Sequence, residues 1–315
     1  CSSDLGTLVK TFNALYPDVN FSPDGKTLAI EFSSRTSYRE RVTQVWKLDG
    51  TLLKILNQPN YSNSKLQFEP GINWNRPRMV ETKETNTDLE FSPDGQIIAS
   101  AGNSDFDGTL RTWDRNGSHI LAGHQDVITD FAFSPDSQTI ATASRDRTVR
   151  LWQKNGTLLQ TLKHDQGVDS VDFSPDSQMI ASAGEDKTIK IWRRDGTLYT
   201  TLIGHQEPVN SLYFSADGQN ITSVSEDKSV KLWQWQGISL PTLTGHHGRV
   251  LNVSFSNDGQ TIATSGNDKT VKLWQRDGTL IKTLTIGGSN PLKSPSMSLS
   301  RDGQIIATLP DSLSK

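Results

Sequence analysis

Four stretches of the sequence carry a histidine, a hydroxyl residue, an aspartate and a tryptophan at identical spacings. In the last of them, His246 is followed by Thr264, Asp268 and Trp274, at intervals of 18, 4 and 6 residues. The earlier copies are His124, Thr142, Asp146 and Trp152; His164, Ser182, Asp186 and Trp192; and His205, Ser223, Asp227 and Trp233. A histidine base, a hydroxyl nucleophile and an orienting carboxylate are the parts of a catalytic triad. Acyl transfer is therefore the first chemistry that these residues suggest.

The repetition argues against catalysis by these residues. A nucleophile works as one exposed group with its base in a cleft, whereas this set occurs four times and always with a tryptophan. A second hydroxyl position, two residues further along, is glycine in two copies, at Gly184 and Gly266. Only the first position supplies a hydroxyl group in all four copies. We interpret the sets as structural networks of hydrogen bonds, and we expect that the protein is not an enzyme.

Each set lies inside a longer repeated unit. Turns similar to Phe-Ser-Pro-Asp begin at Phe21, Phe91, Phe133, Phe173, Phe214, Phe255 and, in a degraded form, Leu299, at spacings of 70, 42, 40, 41, 41 and 44 residues. A segment with a two-residue period precedes each turn and two short β-rich segments follow it. A fourth segment follows a hairpin such as Asp277-Gly278. Seven turns without helical periodicity predict an all-β protein of seven four-stranded units.

A single four-stranded unit cannot bury both of its faces, so the units are expected to stack face to face around an axis. The predicted fold is a seven-bladed β-propeller of four-stranded antiparallel blades, with residues 1–315 in a single domain. Residues 7–12 match the fourth strand of a unit, and residues 297–309 supply only the first two strands. The termini should therefore share the last blade, whose third strand is missing or rudimentary. We expect the natural protein to continue beyond Lys315 as part of a longer multidomain chain.

The repeated motifs resemble those of the WD-repeat family. They are Gly-His, Phe-Ser-Pro-Asp-Gly, Ser/Thr-x-x-x-Asp-x-Thr and Leu/Ile-Trp, in that order, although Asp follows the tryptophan only at Trp113-Asp114. The Asn/Asp-Gly-Thr-Leu phrasing is also similar to bacterial, cyanobacteria-like repeat arrays. The resemblance implies that Asp268 holds His246, whose other nitrogen meets Thr264, and that Thr264 reaches the Trp274 indole N–H.

Composition gives few further indications of partners or location. The net charge of −3 provides no overall attraction for nucleic acid. The sequence contains no run of about 18 apolar residues, so no segment is expected to span a membrane. The one cysteine, Cys1, excludes an intramolecular disulfide. We expect a cytoplasmic protein that does not bind nucleic acid, or alternatively a protein anchored by a lipid on Cys1.

No metal or cofactor is expected. His246 and His247 are adjacent, so on a strand they would point to opposite faces, and no Cys or Glu cluster accompanies them. The run Asp105-Phe106-Asp107-Gly108 lacks the later acidic ligands of a calcium loop. No glycine-rich phosphate loop leads into a helix.

The first two units depart from the repeat by insertion. Their distances from Phe to Trp are 25 and 22 residues instead of 19, and about 24 extra residues occupy roughly positions 58–82. In a propeller, the loops between the second and third strands and the loops from the fourth strand to the next unit emerge on the same face. They carry aromatic and arginine residues of the kind that anchor interfaces, namely Tyr38, Arg39, Arg41, Tyr61, Phe68, Trp74, Arg76 and Arg78. The alternative is a self-packed loop without a binding role.

A second candidate surface is the ordinary rim of the later units. It consists of the residue before each turn aspartate, namely Arg145, Glu185, Glu226 and Asn267, and of residues entering the first strand, namely Thr129, Asp169, Asn210 and Arg249. The mixed charges favour specific polar contacts.

The sequence thus predicts a non-catalytic interaction module, a scaffold or a sensing and signalling propeller that binds a protein or peptide through its loop-bearing face. The alternative is a small-ligand or enzymatic propeller. Such a site would need inward-facing acidic or histidine residues in the central channel, particular to one or two blades, and the sequence does not reveal such a set.

Overall fold

The computed structural model describes residues 15–24, 26–33, 41–47, 51–57, 89–101, 108–114, 117–235, 238–256, 260–285, 297–299 and 306–308. These residues form an all-β structure, as predicted, and no helix occurs among them. Six four-stranded antiparallel sheets follow one another along the chain, and each pairs its strands in sequence order.

The strands of the first three sheets have the following bounds. Sheet 1 comprises β1 (Leu15–Phe21), β2 (Thr27–Ser33), β3 (Arg41–Lys47) and β4 (Leu52–Asn57). Sheet 2 comprises β5 (Leu89–Phe91), β6 (Ile98–Ala101), β7 (Thr109–Asp114) and β8 (Gly117–Ala122). Sheet 3 comprises β9 (Ile128–Phe133), β10 (Thr139–Ser144), β11 (Thr148–Gln153) and β12 (Leu158–Lys163).

The next three sheets repeat the same pattern. Sheet 4 comprises β13 (Val168–Phe173), β14 (Met179–Gly184), β15 (Thr188–Arg193) and β16 (Leu198–Ile203). Sheet 5 comprises β17 (Val209–Phe214), β18 (Asn220–Ser225), β19 (Val230–Gln234) and β20 (Ile238–Leu243). Sheet 6 comprises β21 (Val250–Phe255), β22 (Thr261–Gly266), β23 (Thr270–Gln275) and β24 (Leu280–Thr285).

A seventh four-stranded blade does not appear among the described residues. Strands β25 (Met297–Leu299) and β26 (Ile306–Thr308) form a two-stranded sheet, which corresponds to the first two strands expected of that unit. Residues 7–12, the predicted fourth strand, lie outside the described residues, as does the predicted insertion at 58–82. The closed seven-bladed ring and the single domain therefore stay predictions.

The core lies between neighbouring sheets. Between sheets 4 and 5, for example, Ile189 and Ile191 belong to the same buried cluster as Leu212 and Ile221, and each of these side chains is at most 1% exposed. Similar clusters join sheet 2 to sheet 3, sheet 3 to sheet 4, and sheet 5 to sheet 6. Burying each such side chain contributes about 1.5–3 kcal/mol. This arrangement is propeller-like, because a sheet buries both of its faces only by stacking on its two neighbours.

Hydrogen bonds align the neighbouring sheets at both ends of their strands. We call the end that carries the turn between the second and third strands the upper edge, and the opposite end the lower edge. At the upper edge, Thr129 Oγ1 donates to the Val168 carbonyl of the next sheet at 2.6 Å. At the lower edge, the Asp136 amide donates to Ser177 Oγ at 3.1 Å. Equivalent turns of successive sheets therefore lie along the same edge.

Candidate partner-binding face and its supporting networks

The histidine, hydroxyl, aspartate and tryptophan of each set form one chain of hydrogen bonds. In sheet 6, Trp274 Nε1 donates to Thr264 Oγ1 at 2.9 Å. Thr264 Oγ1 lies 2.9 Å from His246 Nε2, and His246 Nδ1 lies 2.9 Å from Asp268 Oδ2. The same three pairs recur in sheets 3, 4 and 5 at 2.7–2.9 Å. The polar side-chain groups of each of these four networks are thereby paired.

The proton positions follow from the chemistry of the partners. The Asp268 carboxylate can only accept, so His246 Nδ1 carries the proton and Nε2 accepts from the Thr264 hydroxyl. This arrangement requires a neutral imidazole. Burial lowers the pKa of His246, despite the opposing hydrogen bond and charge of Asp268, so the neutral form is favoured. The Thr264 residue is fully buried, and a hydroxyl without access to substrate cannot act as a nucleophile.

The aspartates of these networks are held ionised. For Asp186, burial acts to raise the pKa, but the hydrogen bond and charge of His164 and the hydrogen bonds of Thr188 outweigh it and lower the pKa to about 2. Asp227 behaves in the same way, with its pKa also lowered to about 2. An ionised aspartate can only accept hydrogen bonds, which matches the contacts that these aspartates make with histidine Nδ1 and with the neighbouring hydroxyl groups.

A fifth member of each network was missed by the sequence reasoning. The hydroxyl two residues after each aspartate donates to that aspartate at 2.5–2.8 Å, from Thr148, Thr188, Ser229 and Thr270. The Asp-x-Thr motif contained this residue, but its spacing alone did not reveal its partner. It ties the turn at the upper edge to the carboxylate that holds the histidine.

The second hydroxyl position has a different role from the first. Ser144 Oγ donates to the Asp126 carbonyl at 3.1 Å, and Ser225 Oγ donates to the Glu207 carbonyl at 3.0 Å. In sheet 4 the equivalent residue is Gly184, where an added Cβ would lie 2.1 Å from the Gly167 carbonyl oxygen. This position therefore contacts the incoming loop, and it takes no part in the hydrogen-bonded chain to histidine and tryptophan.

The rim residues lie above these networks at the upper edge. Arg145, Glu185 and Glu226 are half-buried, whereas Arg249 is exposed. Glu226 Oε1 accepts from Arg249 Nη1 at 3.1 Å, which joins the turn of sheet 5 to the loop that enters sheet 6. The carboxyl group of Glu185 packs over Gly167. Adjacent sheets thus present different polar groups at equivalent positions.

The residues expected at the entry to the first strand do not all occupy equivalent positions. A β-bulge interrupts the first strand of sheets 3 to 6, and the bulged residue is Thr129 in sheet 3 and Asn210 in sheet 5. In sheet 6 the bulge falls at Leu251, because Val250 pairs with Gly266 and Asn252 pairs with Ser265. Arg249 lies two residues before the bulge and belongs to the preceding loop. The bulged residue is therefore polar in sheets 3 and 5 and apolar in sheet 6.

The insertion-borne candidates cannot be placed in the same way. Arg41 is the first residue of β3. The others lie outside the described residues: Tyr38, Arg39, Tyr61, Phe68, Trp74, Arg76 and Arg78. Their role in binding stays a prediction.

The first strands of three sheets carry acidic residues that the sequence reasoning missed. Burial, followed by the charges of Asp130 and Asp172, raises the pKa of Glu90 to about 8. Burial raises the pKa of Asp172 to about 7 and that of Asp130 to about 6, although hydrogen bonds to both carboxylates oppose the change. These residues come from three different sheets, which the strand stacking brings together. The feature of the sequence that could have revealed them is an acidic residue within a strand that alternates apolar and polar residues.

Two of these carboxylates link neighbouring sheets. Asp130 Oδ2 accepts from the Val171 amide at 2.9 Å, and Asp172 Oδ2 accepts from the Phe214 amide at 2.8 Å. Each bond joins the first strand of one sheet to the first strand of the next. The described residues contain no group of three or more His, Cys, Asp or Glu side chains placed to hold a metal ion. In the same part of the chain, no helix is long and apolar enough to cross a membrane.

The stacked sheets and their repeated networks define a WD-repeat protein of propeller-like construction. The sequence profile of the WD domain, G-beta repeat, matches residues 85–114, 116–153, 156–193, 196–234 and 237–275. Since these matches cover more than half of the sequence, the chain belongs to the WD40 repeat family.

A curated plant protein shows a shorter similarity. The U4/U6 small nuclear ribonucleoprotein PRP4-like protein of Arabidopsis thaliana is 35% identical over 81 residues. That stretch is 24% of this chain and 14% of the relative, so the chain matches a small part of the relative's length. The similarity to bacterial arrays stays a prediction.

Proposed function

We propose that the protein is a non-catalytic scaffold that binds a protein or peptide partner through its upper edge. The observation that supports this proposal is the contrast between constant and variable positions in the turns of sheets 3 to 6. The supporting network is the same in every sheet, whereas the residue directly before its aspartate changes from Arg145 to Glu185, Glu226 and Asn267. A rigid frame that presents different polar groups in a fixed order is suited to specific recognition.

Membership of the WD40 family supports the general class of function, because such repeats bind protein partners. The relative's printed name places that protein in a ribonucleoprotein, which is consistent with a role inside an assembly. Sensing, signalling and a cytoplasmic location are finer expectations that belong to this proposal.

The acidic residues on the first strands do not favour the alternative of a ligand site in a central channel. Asp130 and Asp172 each use Oδ2 to accept from a backbone amide of the next sheet. Such bonds hold sheets together and leave less capacity for a ligand. We therefore assign these two residues to the support of the fold.

Affinity capture with quantitative mass spectrometry tests the proposal. The test variant is Glu185→Lys with Glu226→Lys at the upper edge. The matched control is Asp195→Lys with Asp277→Lys, in the exposed hairpins at the lower edge, because it changes the net charge equally. We expect partners to be lost from the first variant alone. Equal recovery with both variants contradicts the proposed face, and a third variant lacking residues 58–82 tests the insertion separately.

A further inference from the structure

At the lower edge, an ion pair recurs between neighbouring sheets. The residue two positions after the repeat tryptophan reaches the turn of the preceding sheet. Arg194 of sheet 4 donates to Asp136 of sheet 3 in this way. Arg276 of sheet 6 pairs with Asp217 of sheet 5, at 2.8 Å between Nη1 and Oδ2. The equivalent residue of sheet 5 is Trp235. The junction of sheets 4 and 5 therefore has an indole where the junctions on either side of it have a guanidinium.

Trp235 takes the place of the arginine at its junction. Its Nε1 donates to the Gly218 carbonyl at 2.7 Å, which is the counterpart of the hydrogen bond from Arg194 Nη1 to the Ser177 carbonyl at 3.4 Å. The indole also packs on the buried cluster that contains Met179 of sheet 4. An indole N–H donates a hydrogen bond but carries no positive charge. This junction therefore keeps the hydrogen bond of its neighbours and lacks their ion pair.

The carboxylate of this junction, Asp176, has no cation beside it. Its turn adjoins the turn of sheet 5, because a Cβ built on Gly218 would lie 3.3 Å from the ring of the proline that precedes Asp176. Hydrogen bonds from the Ser174 hydroxyl and the Gln178 amide lower the pKa of Asp176, so the group is ionised at neutral pH. Asp176 is exposed, and it forms no ion pair within the described part of the chain. A free negative charge therefore lies at the junction that Trp235 occupies.

A second aromatic ring adjoins Trp235. The ring centroids of Tyr199 and Trp235 lie 5.5 Å apart at an interplanar angle of 67°, and Tyr199 is exposed while Trp235 is half-buried. The Arg193 guanidinium carbon lies 5.1 Å from the Tyr199 ring centroid. The protein thus already places one guanidinium against this aromatic pair. The other residues equivalent to Trp235 in sheets 3 to 6 are basic, namely Lys154, Arg194 and Arg276.

We propose that Asp176 and the exposed part of Trp235 form a binding site for an arginine side chain of a partner protein. The contacts of Arg194 and Arg276 at the adjacent junctions show that a guanidinium fits this carboxylate. A guanidinium is planar, so it can pair with a carboxylate and stack on an aromatic ring, whereas the ammonium group of lysine is a compact and strongly hydrated charge. Asp176 would repel a phosphate, and one carboxylate supplies too few ligands for a metal ion.

This site is separate from the binding proposed for the upper edge. It lies at the lower edge, between the turns of sheets 4 and 5. The lower-edge residues Asp195 and Asp277 belong to other turns, where each accepts from an amide of its own hairpin at 2.8 Å and 2.9 Å respectively. They are therefore not part of the site, and one chain can bind through both edges.

Titration of the indole N–H signals in the NMR spectrum tests the proposal, with Trp235→Phe used to identify the signal of Trp235. The probe is N-acetyl-arginine amide. N-acetyl-lysine amide is the matched cation, and N-acetyl-glutamine amide is the neutral control. The test variant is Asp176→Asn. The matched control is Asp136→Asn, because it changes the equivalent carboxylate of sheet 3, which Arg194 already occupies. Thermal melting checks that both variants are folded.

We expect the arginine compound to shift the Trp235 signal saturably, the lysine compound to bind more weakly, and the glutamine compound to give no saturable shift. Asp176→Asn should weaken binding of the arginine compound about threefold, as expected for loss of an exposed ion pair, whereas Asp136→Asn should leave it unchanged. No saturable shift with arginine, equal affinity for lysine, or unchanged affinity in Asp176→Asn each overturns the proposal. Capture that depends on Glu185 and Glu226 is measured separately, so failure of this site leaves the upper-edge proposal in place.

Discussion

The imidazole Nδ1 of His246 lies 2.9 Å from Oδ2 of Asp268, so a loop that precedes sheet 6 is tied to the turn between its second and third strands. The Asp268 oxygen also accepts from the His247 amide at 2.9 Å. The carboxylate therefore fixes both the side chain and the backbone of the incoming loop. This relationship explains why a set that resembles a catalytic triad acts to hold the upper edge in place.

Replacing Asp268 by alanine should destabilise the protein. The change leaves the buried His246 Nδ1 without its acceptor, and each unpaired buried polar group costs roughly 1–3 kcal/mol. Thermal and urea unfolding measure the loss. Asp277→Ala is the control, because that aspartate lies in an exposed hairpin and should change the melting curve little. Identical curves for wild type and Asp268→Ala would count against the supporting role.

Replacing Glu90 by glutamine should change the pH dependence of stability. The folded state raises the pKa of Glu90 from 4.5 to about 8, so its contribution to stability is full below about pH 4.5 and is lost as the pH rises through about 8. Glutamine does not ionise and avoids this loss. The variant should therefore gain stability over the wild type between about pH 5 and about pH 8, by on the order of a few kcal/mol.

Urea unfolding at a series of pH values measures this difference. Glu207→Gln is a suitable control, because it makes the same substitution at an exposed side chain. A Glu90→Gln curve parallel to that of the wild type throughout the range contradicts the raised pKa.

Replacing Gly184 by serine should destabilise sheet 4, even though Ser144 and Ser225 occupy the equivalent position in other sheets. A Cβ at residue 184 would lie 2.1 Å from the Gly167 carbonyl oxygen, which is backbone and must shift. Overpacking of this kind costs roughly 1–3 kcal/mol. Ser225→Gly is the reciprocal control and should lose only its hydrogen bond to the Glu207 carbonyl. Wild-type stability of Gly184→Ser would show that the loop has room to move.

The ion pair between Arg194 and Asp136 should couple sheets 4 and 3 weakly. Arg194 donates to Asp136 and also to Thr139 Oγ1, and both charged side chains are partly exposed. A double-mutant cycle with alanine should therefore give a coupling of about 0.5 kcal/mol that decreases with salt. The pair of Arg276 and Asp217, at 2.8 Å between sheets 6 and 5, should behave alike. A coupling that is unchanged in high salt would exclude a simple surface ion pair.

Much of the fold could be predicted from the sequence because the same local sequence features recur in each repeat unit. The strand alternation, the hairpin glycines and the turns similar to Phe-Ser-Pro-Asp all recur in sheets 2 to 6, and the family profile matches the same region. The bulge was not predicted, because one extra residue in a strand leaves no mark on a two-residue period. In sheet 6 this position is Leu251, two residues after Arg249.

The site was less predictable than the fold. The spacing identified the residues of the networks, but the carboxylates Glu90, Asp130 and Asp172 come from separate sheets and meet only after stacking. Trp235 was visible in the sequence, but its contacts with Gly218 and Tyr199 were not. Distances across sheets depend on tertiary packing, which a local pattern does not contain.

The most direct test of the account compares stability and binding in the same preparations. The partners recovered by affinity capture and the melting temperature should be measured for Asp268→Ala and for the double variant Glu185→Lys with Glu226→Lys, at a temperature where both are folded. We predict a lowered melting temperature with unchanged partners for the first variant, and lost partners with little change in melting for the second. Lost partners in a folded Asp268→Ala protein, with full recovery by the double variant, would contradict the division between supporting network and binding rim.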